Sequence, residues 1–343
     1  MKIVVYKDCL STGRGADAAV RNFAAGIAER GHNVALMEKA EFLSKILGPT
    51  ATGEDAFDVI VATGSNEIVD IDSAGYFVRP RRAKVVLQLH LAPRGFFKWR
   101  HPLRNRRIRA AFDKPDAVQL LCSSYEDEFS RIAPHPRTYV IGNYASVLPA
   151  HSSSESSSTT TILYPAAVLN RVKNQKLLIE AFALLAKDFP EWNVRLLGKD
   201  ATSYASSCRR LAERRGLGGR IEFVGFTKDL SAEYSRAAFV AFPSKLEGFP
   251  LALLEAAQFS LPAVVQNGLP GVDDIVRDGE TGLVSTASPG AYAGALRRMM
   301  EDEALRRRLG ERARAFCAER YSRGRILDEW ETLLEGIASE IQV

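Results

Sequence analysis

Two carboxylates, Glu247 and Glu255, stand eight positions apart in the run PSKLEGFPLALLEAAQFSLPAVV, residues 243–265. The run reads as a strand end, a turn through Gly248, Phe249 and Pro250, and a helix beginning near Leu251. Proline suits an early helical position, because the N–H it lacks would have no intrahelical acceptor there. Amides at Gly248, Phe249 and Leu251 would then stand at a helix start, a place that receives hydroxyl or phosphate oxygens. Glu255, one turn further on, could accept two hydroxyl bonds from a vicinal diol, the usual way of holding a ribose. On an ordinary amphipathic helix the same glutamates would be solvated, with Leu251, Leu254 and Ala257 facing a core. That plainer reading leaves the polar turn without a purpose.

Three further groups of residues carry chemistry. Gly13 to Ala18 fits G-x-G-x-x-A, and Glu38 ends the second predicted strand, as in a nicotinamide dinucleotide fingerprint. In that fingerprint the turn follows its strand at once, whereas KDCLST separates Tyr6 from Gly13. His90 ends the apolar run KVVLQLH, where its imidazole either looks into a cleft or bonds to a neighbouring loop. Residues 94–109, RGFFKWRHPLRNRRIR, hold seven Lys or Arg and no acid: Arg94, Lys98, Arg100, Arg104, Arg106, Arg107 and Arg109, interleaved with Phe96, Phe97 and Trp99. Such a stretch suits an anionic lipid surface, acceptor phosphates, or a solvated helix face. No nucleic-acid recognition motif accompanies it.

The elements that must position these residues are short and apolar. IVVY, NVALM, DVIVAT, KVVLQLH, AVQLLC and TYVIG read as buried parallel strands separated by helices, and TILYPA, VRLLG, IEFVG, FVAFPS and PAVVQN repeat the pattern. The fold class is therefore α/β, with two Rossmann-like, doubly wound parallel-sheet domains. The polar run HSSSESSSTTT between them cannot bury apolar surface and reads as a tether. The expected divisions are an N-terminal domain over 1–150, a linker over 151–161, a C-terminal domain over 162–322, and a last helix over 323–343 that returns to the first domain around Trp330. A chain of 343 residues suits two domains of roughly 100–200 residues each. Hydrophobic residues at 46% and charged residues at 25% exclude a disordered or collagen-like polymer. Cys9, Cys122, Cys208 and Cys317 form no metal-ligand or disulfide spacing and are expected to be buried thiols. With neither a leader nor an apolar span in the sequence, the expected location is the cytoplasm.

The segment Glu247 to Ala256, EGFPLALLEA, closely resembles the signature of glycosyltransferase family 4. YPAAVLNRVKNQKLLIEAF (164–182), IEFVGF (221–226), AFVAFPS (238–244) and VRDGETGLV (276–284) are similar to further landmarks of that family, in the same order. The resemblance implies a two-domain GT-B fold whose domains face across a cleft, and retaining transfer of a hexosyl group from a nucleotide diphosphate sugar. It implies that Lys173 clamps the donor diphosphate, Glu247 binds sugar hydroxyls, Glu255 binds the ribose, and Gly13 and Gly15 let backbone approach the donor or acceptor. His90 matches a histidine that contacts sugar or acceptor. Many members carry an arginine five positions before the lysine; here that position is Val168, and Arg171 is the expected partial replacement.

Metal is not expected, since Asp70-Ile71-Asp72, the one Asp-x-Asp, falls in what reads as a loop or helix cap remote from the donor segment. No cofactor is expected beyond the nucleotide-sugar substrate, for which UDP-sugars are favoured over GDP-mannose. The expected acceptor is a glycan or a lipid-linked saccharide of a surface polysaccharide or lipopolysaccharide, with peripheral contact to the inner face of the membrane through residues 94–109 and no nucleic-acid partner. Rival readings are a nicotinamide oxidoreductase, a binding protein with a lapsed site, and, within the same fold, an epimerase or phosphorylase.

Overall fold

The computed structural model describes residues 1–10, 15–46, 57–78, 83–96, 101–149 and 159–341, with the backbone alone at 94, 270 and 341. The chain divides into two compact units, Met1–Tyr144 with Tyr321–Val343, and Ala145–Arg320. Unit 1 runs β1 (Lys2–Lys7), α1 (Gly15–Glu29), β2 (Asn33–Glu38), α2 (Lys39–Lys45), β3 (Val59–Ala62), α3 (Ser65–Ser73), β4 (Lys84–Gln88), α4 (Pro102–Phe112), β5 (Ala117–Leu120), α5 (Ser124–Ile132) and β6 (Thr138–Val140). Unit 2 runs β7 (Thr161–Tyr164), α6 (Gln175–Ala183), β8 (Asn193–Leu197), α7 (Ser203–Arg214), β9 (Ile221–Gly225), α8 (Leu230–Ser235), β10 (Phe239–Phe242), α9 (Leu251–Gln258), β11 (Ala263–Gln266), α10 (Pro270–Asp273), β12 (Gly282–Ser285), α11 (Pro289–Glu301) and α12 (Glu303–Arg320); α13 (Arg323–Ala338) belongs to unit 1.

Each unit holds a six-stranded parallel sheet, ordered β2-β1-β3-β4-β5-β6 in the first and β12-β11-β10-β7-β8-β9 in the second. The strands are apolar on both faces because helices cover both, and residues such as Val4, Val61, Val86, Leu163 and Val240 are fully buried. The order reverses between β1 and β3 in unit 1 and between β7 and β10 in unit 2. At such a point neighbouring crossovers leave the sheet in opposite directions and open a crevice beyond the strand carboxyl ends.

The last helix closes unit 1. Ile326, Leu327, Trp330, Leu333, Leu334 and Ile337 recur at helical spacing along α13, and all are buried. Trp330 lies 4.4 Å from Phe23 of α1, ring centroid to ring centroid, and Arg30 pairs with Asp328 at 2.6 Å. Burying each large apolar side chain contributes about 1.5–3 kcal/mol, so α13 is an integral layer of that unit. Gly26 permits the approach: a Cβ there would stand 2.6 Å from the Tyr144 hydroxyl and 2.7 Å from Leu327.

Several expectations change. The division falls at Tyr144/Ala145 rather than at 151. Tyr144 donates to the Asn22 carbonyl of α1, while Gln258 bonds both Ser146 and Leu148, and Ser231 donates to the Pro149 carbonyl at 2.6 Å. Thr161 opens β7 instead of ending a linker, and residues 151–158 of the serine run lie outside the described residues. Asp70 and Asp72 sit inside α3 and pair with Lys39 and Lys114, so neither caps the helix. Cys9 is exposed; the other three thiols are buried. Among the described residues, no helix is long and apolar enough to cross a membrane.

Candidate functional site

At the reversal in unit 2, β7 and β10 pair directly through Ile162 with Phe239 and Leu163 with Val240. The chain leaving β7 makes a loop into α6, and the chain leaving β10 makes one into α9. Tyr164, fully buried at the end of β7, ties the two loops together. Its hydroxyl donates to the Lys173 carbonyl at 2.7 Å and lies 3.0 Å from the Ser244 hydroxyl. Burial pushes this phenol well above its ordinary range, so it keeps the proton it donates. Asn170 folds the first loop by accepting from the amides of Val172 and Lys173, both at 3.0 Å, and Asn174 turns the chain into α6 with φ of 54°. The Lys245 amide donates to the Val172 carbonyl at 2.8 Å, fastening the second loop to the first.

This scaffold brings Lys173 and Glu247 together. The ammonium donates to both carboxylate oxygens, at 2.6 and 2.8 Å, and stands 5.7 Å from the centroid of the Phe242 ring. The pair is partly open to solvent, with side-chain exposures of 22% and 10%, so an incoming ligand can reach either partner. Glu255 sits in α9, where its Oε2 accepts from the Tyr234 hydroxyl at 2.8 Å. Burial raises this carboxyl above its ordinary range, and the bond from Tyr234 opposes the shift.

The helix starts carry a further difference. Within unit 2, Thr202, Asp229 and Ser288 cap α7, α8 and α11 with side-chain oxygens. α6 and α9, the two helices that follow the paired strands, have no side-chain cap. In α6 the Lys176 amide donates to the Tyr204 hydroxyl at 3.4 Å, and the positive ends of both helix dipoles lie at the strand ends. Gly248, Phe249 and Pro250 are buried in the turn before α9. Pro250 is the N-cap residue, extended at φ of −78° and ψ of 97°, one position earlier than the helical place the sequence suggested; Leu251 opens the helix.

Other expected residues are placed differently. Arg171 is exposed on the loop before Lys173, and its charge bears on Tyr204. Val168 forms a parallel bridge with Lys199, an exposed lysine just after β8 that the sequence reading passed over. Gly198 allows that crossing at φ of 116°, since a Cβ would stand 2.3 Å from the Ala166 carbonyl oxygen. The LGKD run that follows the β8 sequence was the available signal. Tyr164 and Tyr234 were also missed, because tyrosines inside apolar runs look like core.

In unit 1, His90 follows β4. Neither ring nitrogen has a hydrogen-bond partner among the described residues. Burial, with Lys7 adding to it and Asp17 opposing, lowers its pKa to about 3, so the ring is neutral. Gly15 opens α1, and residues 8–14 lie between β1 and that helix, so the immediate strand-to-helix turn of a dinucleotide fingerprint is not formed. Gly13, Lys98, Arg100 and the side chain of Arg94 lie outside the described residues. On α4, Arg104 donates to the Phe96 carbonyl at 2.8 Å, Arg107 to the Ser73 hydroxyl at 2.9 Å, and Arg106 is exposed. Phe96 is core rather than surface, packed edge-on against Phe112 at 5.8 Å.

Comparison with known proteins bears on the second unit. Residues 150–316 match the family model for glycosyl transferases group 1. An exopolysaccharide phosphotransferase of Streptomyces coelicolor is 36% identical over 163 residues, which are 47% of this chain and 17% of that protein. A D-inositol 3-phosphate glycosyltransferase of Corynebacterium glutamicum is 35% identical over 154 residues, 42% of this chain and 36% of that protein. The chain thus spans well under half the length of these curated relatives. The structure of Anabaena HepE in complex with UDP superposes with a TM-score of 0.83 at 19% identity, covering 98% of this chain and 100% of that one. The fold is the two-domain GT-B fold of that neighbour. The similarity to the group 1 glycosyltransferases extends over residues 150–316, just under half of the chain.

Proposed function

We propose that the protein is a retaining, metal-independent hexosyltransferase of glycosyltransferase family 4 that takes its sugar from a nucleotide diphosphate donor. The observation that carries this reading is the Lys173–Glu247 pair at the strand reversal of unit 2, beside two helix starts without side-chain caps. A donor diphosphate would draw Lys173 to itself and free Glu247 for the sugar hydroxyls. The amides at Gly248, Phe249 and Leu251 would meet diphosphate or sugar oxygens, and Glu255 the ribose diol. As the anomeric carbon–oxygen bond breaks, charge grows on the leaving diphosphate, where Lys173 and the helix dipoles stabilise it. The acceptor hydroxyl forms the new bond on the same face and passes its proton to the departing phosphate oxygen. A neutral His90 with two unpartnered nitrogens suits a hydrogen bond to a sugar or acceptor hydroxyl.

UDP is the favoured nucleotide, supported by the HepE complex, with GDP-mannose as the alternative. The exopolysaccharide relative supports a glycan or lipid-linked acceptor in surface polysaccharide synthesis. Thermal unfolding with UDP, GDP, ADP, their sugars and NADH, each with EDTA, tests the reading. A nucleotide at ~100 times its dissociation constant contributes about 2.7 kcal/mol to apparent stability. The expected result is stabilisation of wild type by UDP and not of Glu255→Ala; stabilisation by NADH alone would overturn it. Conversion of a defined anomer of the donor, followed by NMR, tests retention.

The face of α4 supports a location at the inner surface of the membrane. Leu103 is 79% exposed beside Arg104, Arg106 and Arg107. Each base near an anionic bilayer contributes roughly 1 kcal/mol. Flotation with vesicles rich in phosphatidylglycerol is expected for wild type and lost on combined Arg104→Ser, Arg106→Ser and Arg107→Ser; unchanged flotation would exclude this surface.

A further inference from the structure

Glu255 is held from behind by a residue that no part of the donor reading has used. Tyr234 is completely buried in α8, and its ring stacks on Phe259 with centroids 5.5 Å apart and planes 22° from parallel. Its hydroxyl donates to Oε2 of Glu255 at 2.8 Å and lies 3.2 Å from the Ala252 carbonyl. The short helix that carries it is anchored on three sides. Asp229 accepts from the Ala232 amide at 2.9 Å, Ser231 donates to the Pro149 carbonyl, and Glu233 takes a bidentate bond from Arg195 of β8 at 2.9 and 3.1 Å. A phenol so fixed sets the plane of the carboxylate it touches.

We infer that Tyr234 is a positioning residue for the nucleotide: its hydroxyl clamps Oε2 of Glu255 and leaves Oε1 turned to accept the ribose hydroxyls. The inference rests on the donor reading above and adds a second duty, keeping Glu255 ionised. Two influences act on that carboxyl among the described residues, burial that raises its pKa and the Tyr234 bond that lowers it; α12, which packs on α9, brings no charge to it. A protonated carboxyl accepts hydroxyl bonds far more weakly than a carboxylate. Without the phenol, burial acts unopposed.

The experiment is calorimetric titration of UDP into wild type, Tyr234→Phe and Glu255→Gln between pH 5.5 and 8. Phenylalanine keeps the buried ring and removes the hydroxyl. Titration of the UDP phosphate is common to all three proteins and cancels in the ratio of affinities. Tyr234→Phe is expected to bind about tenfold more weakly at neutral pH, as a lost bond to a charged group implies. The ratio to wild type should widen as pH falls and narrow towards pH 8, while Glu255→Gln, having no proton to lose, should show a constant ratio. If Tyr234→Phe binds as wild type throughout while Glu255→Gln is weakened, the positioning role is overturned and the donor reading stands. A loss equal at every pH also overturns it, since a packing defect carries no proton. If Glu255→Gln binds as wild type, the donor reading itself fails.

Discussion

The two sheets present the same kind of edge and fill it differently. At the β1/β3 reversal of unit 1, Lys7 pairs with Glu67 at 2.8 Å, Glu67 also accepts from the Asp8 amide at 3.0 Å, and Glu67 is 2% exposed. Beside them Tyr6 donates to Asp70 at 2.7 Å and Lys39 to the same carboxylate at 2.9 Å. Burial and the two carboxylates hold the Tyr6 phenol far above its ordinary range. These charges are bonded to one another, and among the described residues neither ring nitrogen of His90 has a hydrogen-bond partner. At the β7/β10 reversal of unit 2, the Lys173–Glu247 pair is more exposed and borders helix starts without side-chain caps. Topology nominates both edges equally. The pair in unit 2 is the more open to solvent, and a more exposed ion pair is the easier to exchange for an incoming charge.

The largest expected effect breaks the edge of unit 2. Lys173→Ala should lower turnover of the donor sugar by about 10²–10³, the usual result of removing one group that stabilises leaving-group charge, with the unliganded melting temperature almost unchanged. Steady-state assays beside calorimetric melts check this; unchanged turnover would make the pair structural. Next comes the edge of unit 1. Lys7→Met strands a buried carboxylate and should destabilise the fold by about 3 kcal/mol in urea, with UDP affinity retained. If instead Lys7→Met melts normally and loses UDP, the contrast between the edges is reversed.

The smallest effect concerns His90. Its folded pKa of about 3 lies below the ordinary 6.5, so the unfolded chain takes the proton first. Stability from this group is complete above pH 6.5 and is lost as pH falls from 6.5 towards 3, by at most about 1.4 kcal/mol per pH unit. Urea melts of wild type and His90→Gln at pH 6.5, 5.5 and 4.5 should diverge by that slope, the variant being flatter. Parallel lines would mean that the imidazole is solvated and free to ionise.

Most strands were legible because parallel strands buried on both faces must be apolar throughout, and runs such as IVVY and FVAF meet that demand locally. β12 was passed over: GLVS is four residues long and overlaps the end of the polar, glycine-containing run VRDGETGLV. Pairing with β11 from Ala263–Gly282 to Gln266–Ser285 makes it a strand. The segment SNEIVDIDS looked like a loop because its composition is polar, yet α3 forms where Ile68 and Ile71 are buried and lysines from α2 and the α4–β5 connection neutralise its aspartates. The site was half legible. Glu247, Gly248 and Glu255 carry a spacing that can be read in a line of text, whereas nothing in a linear pattern marks Tyr234 or Tyr164 as anything other than core.

By itself the sequence determined the α/β alternation, the apolar stripe of α13 and the strand–turn–helix around the two glutamates, since each depends on periodicity and turn chemistry within about fifteen residues. Tertiary structure alone decided that Lys173 meets Glu247 across 74 positions and that Tyr234 meets Glu255. It also decided that residues 145–149 join the second unit and that Asp70 has a lysine and a phenol for company. These are contacts between elements, set by strand order and by which helix faces a given loop. No local propensity encodes them, because their energy appears only once the sheet has brought its strand ends together.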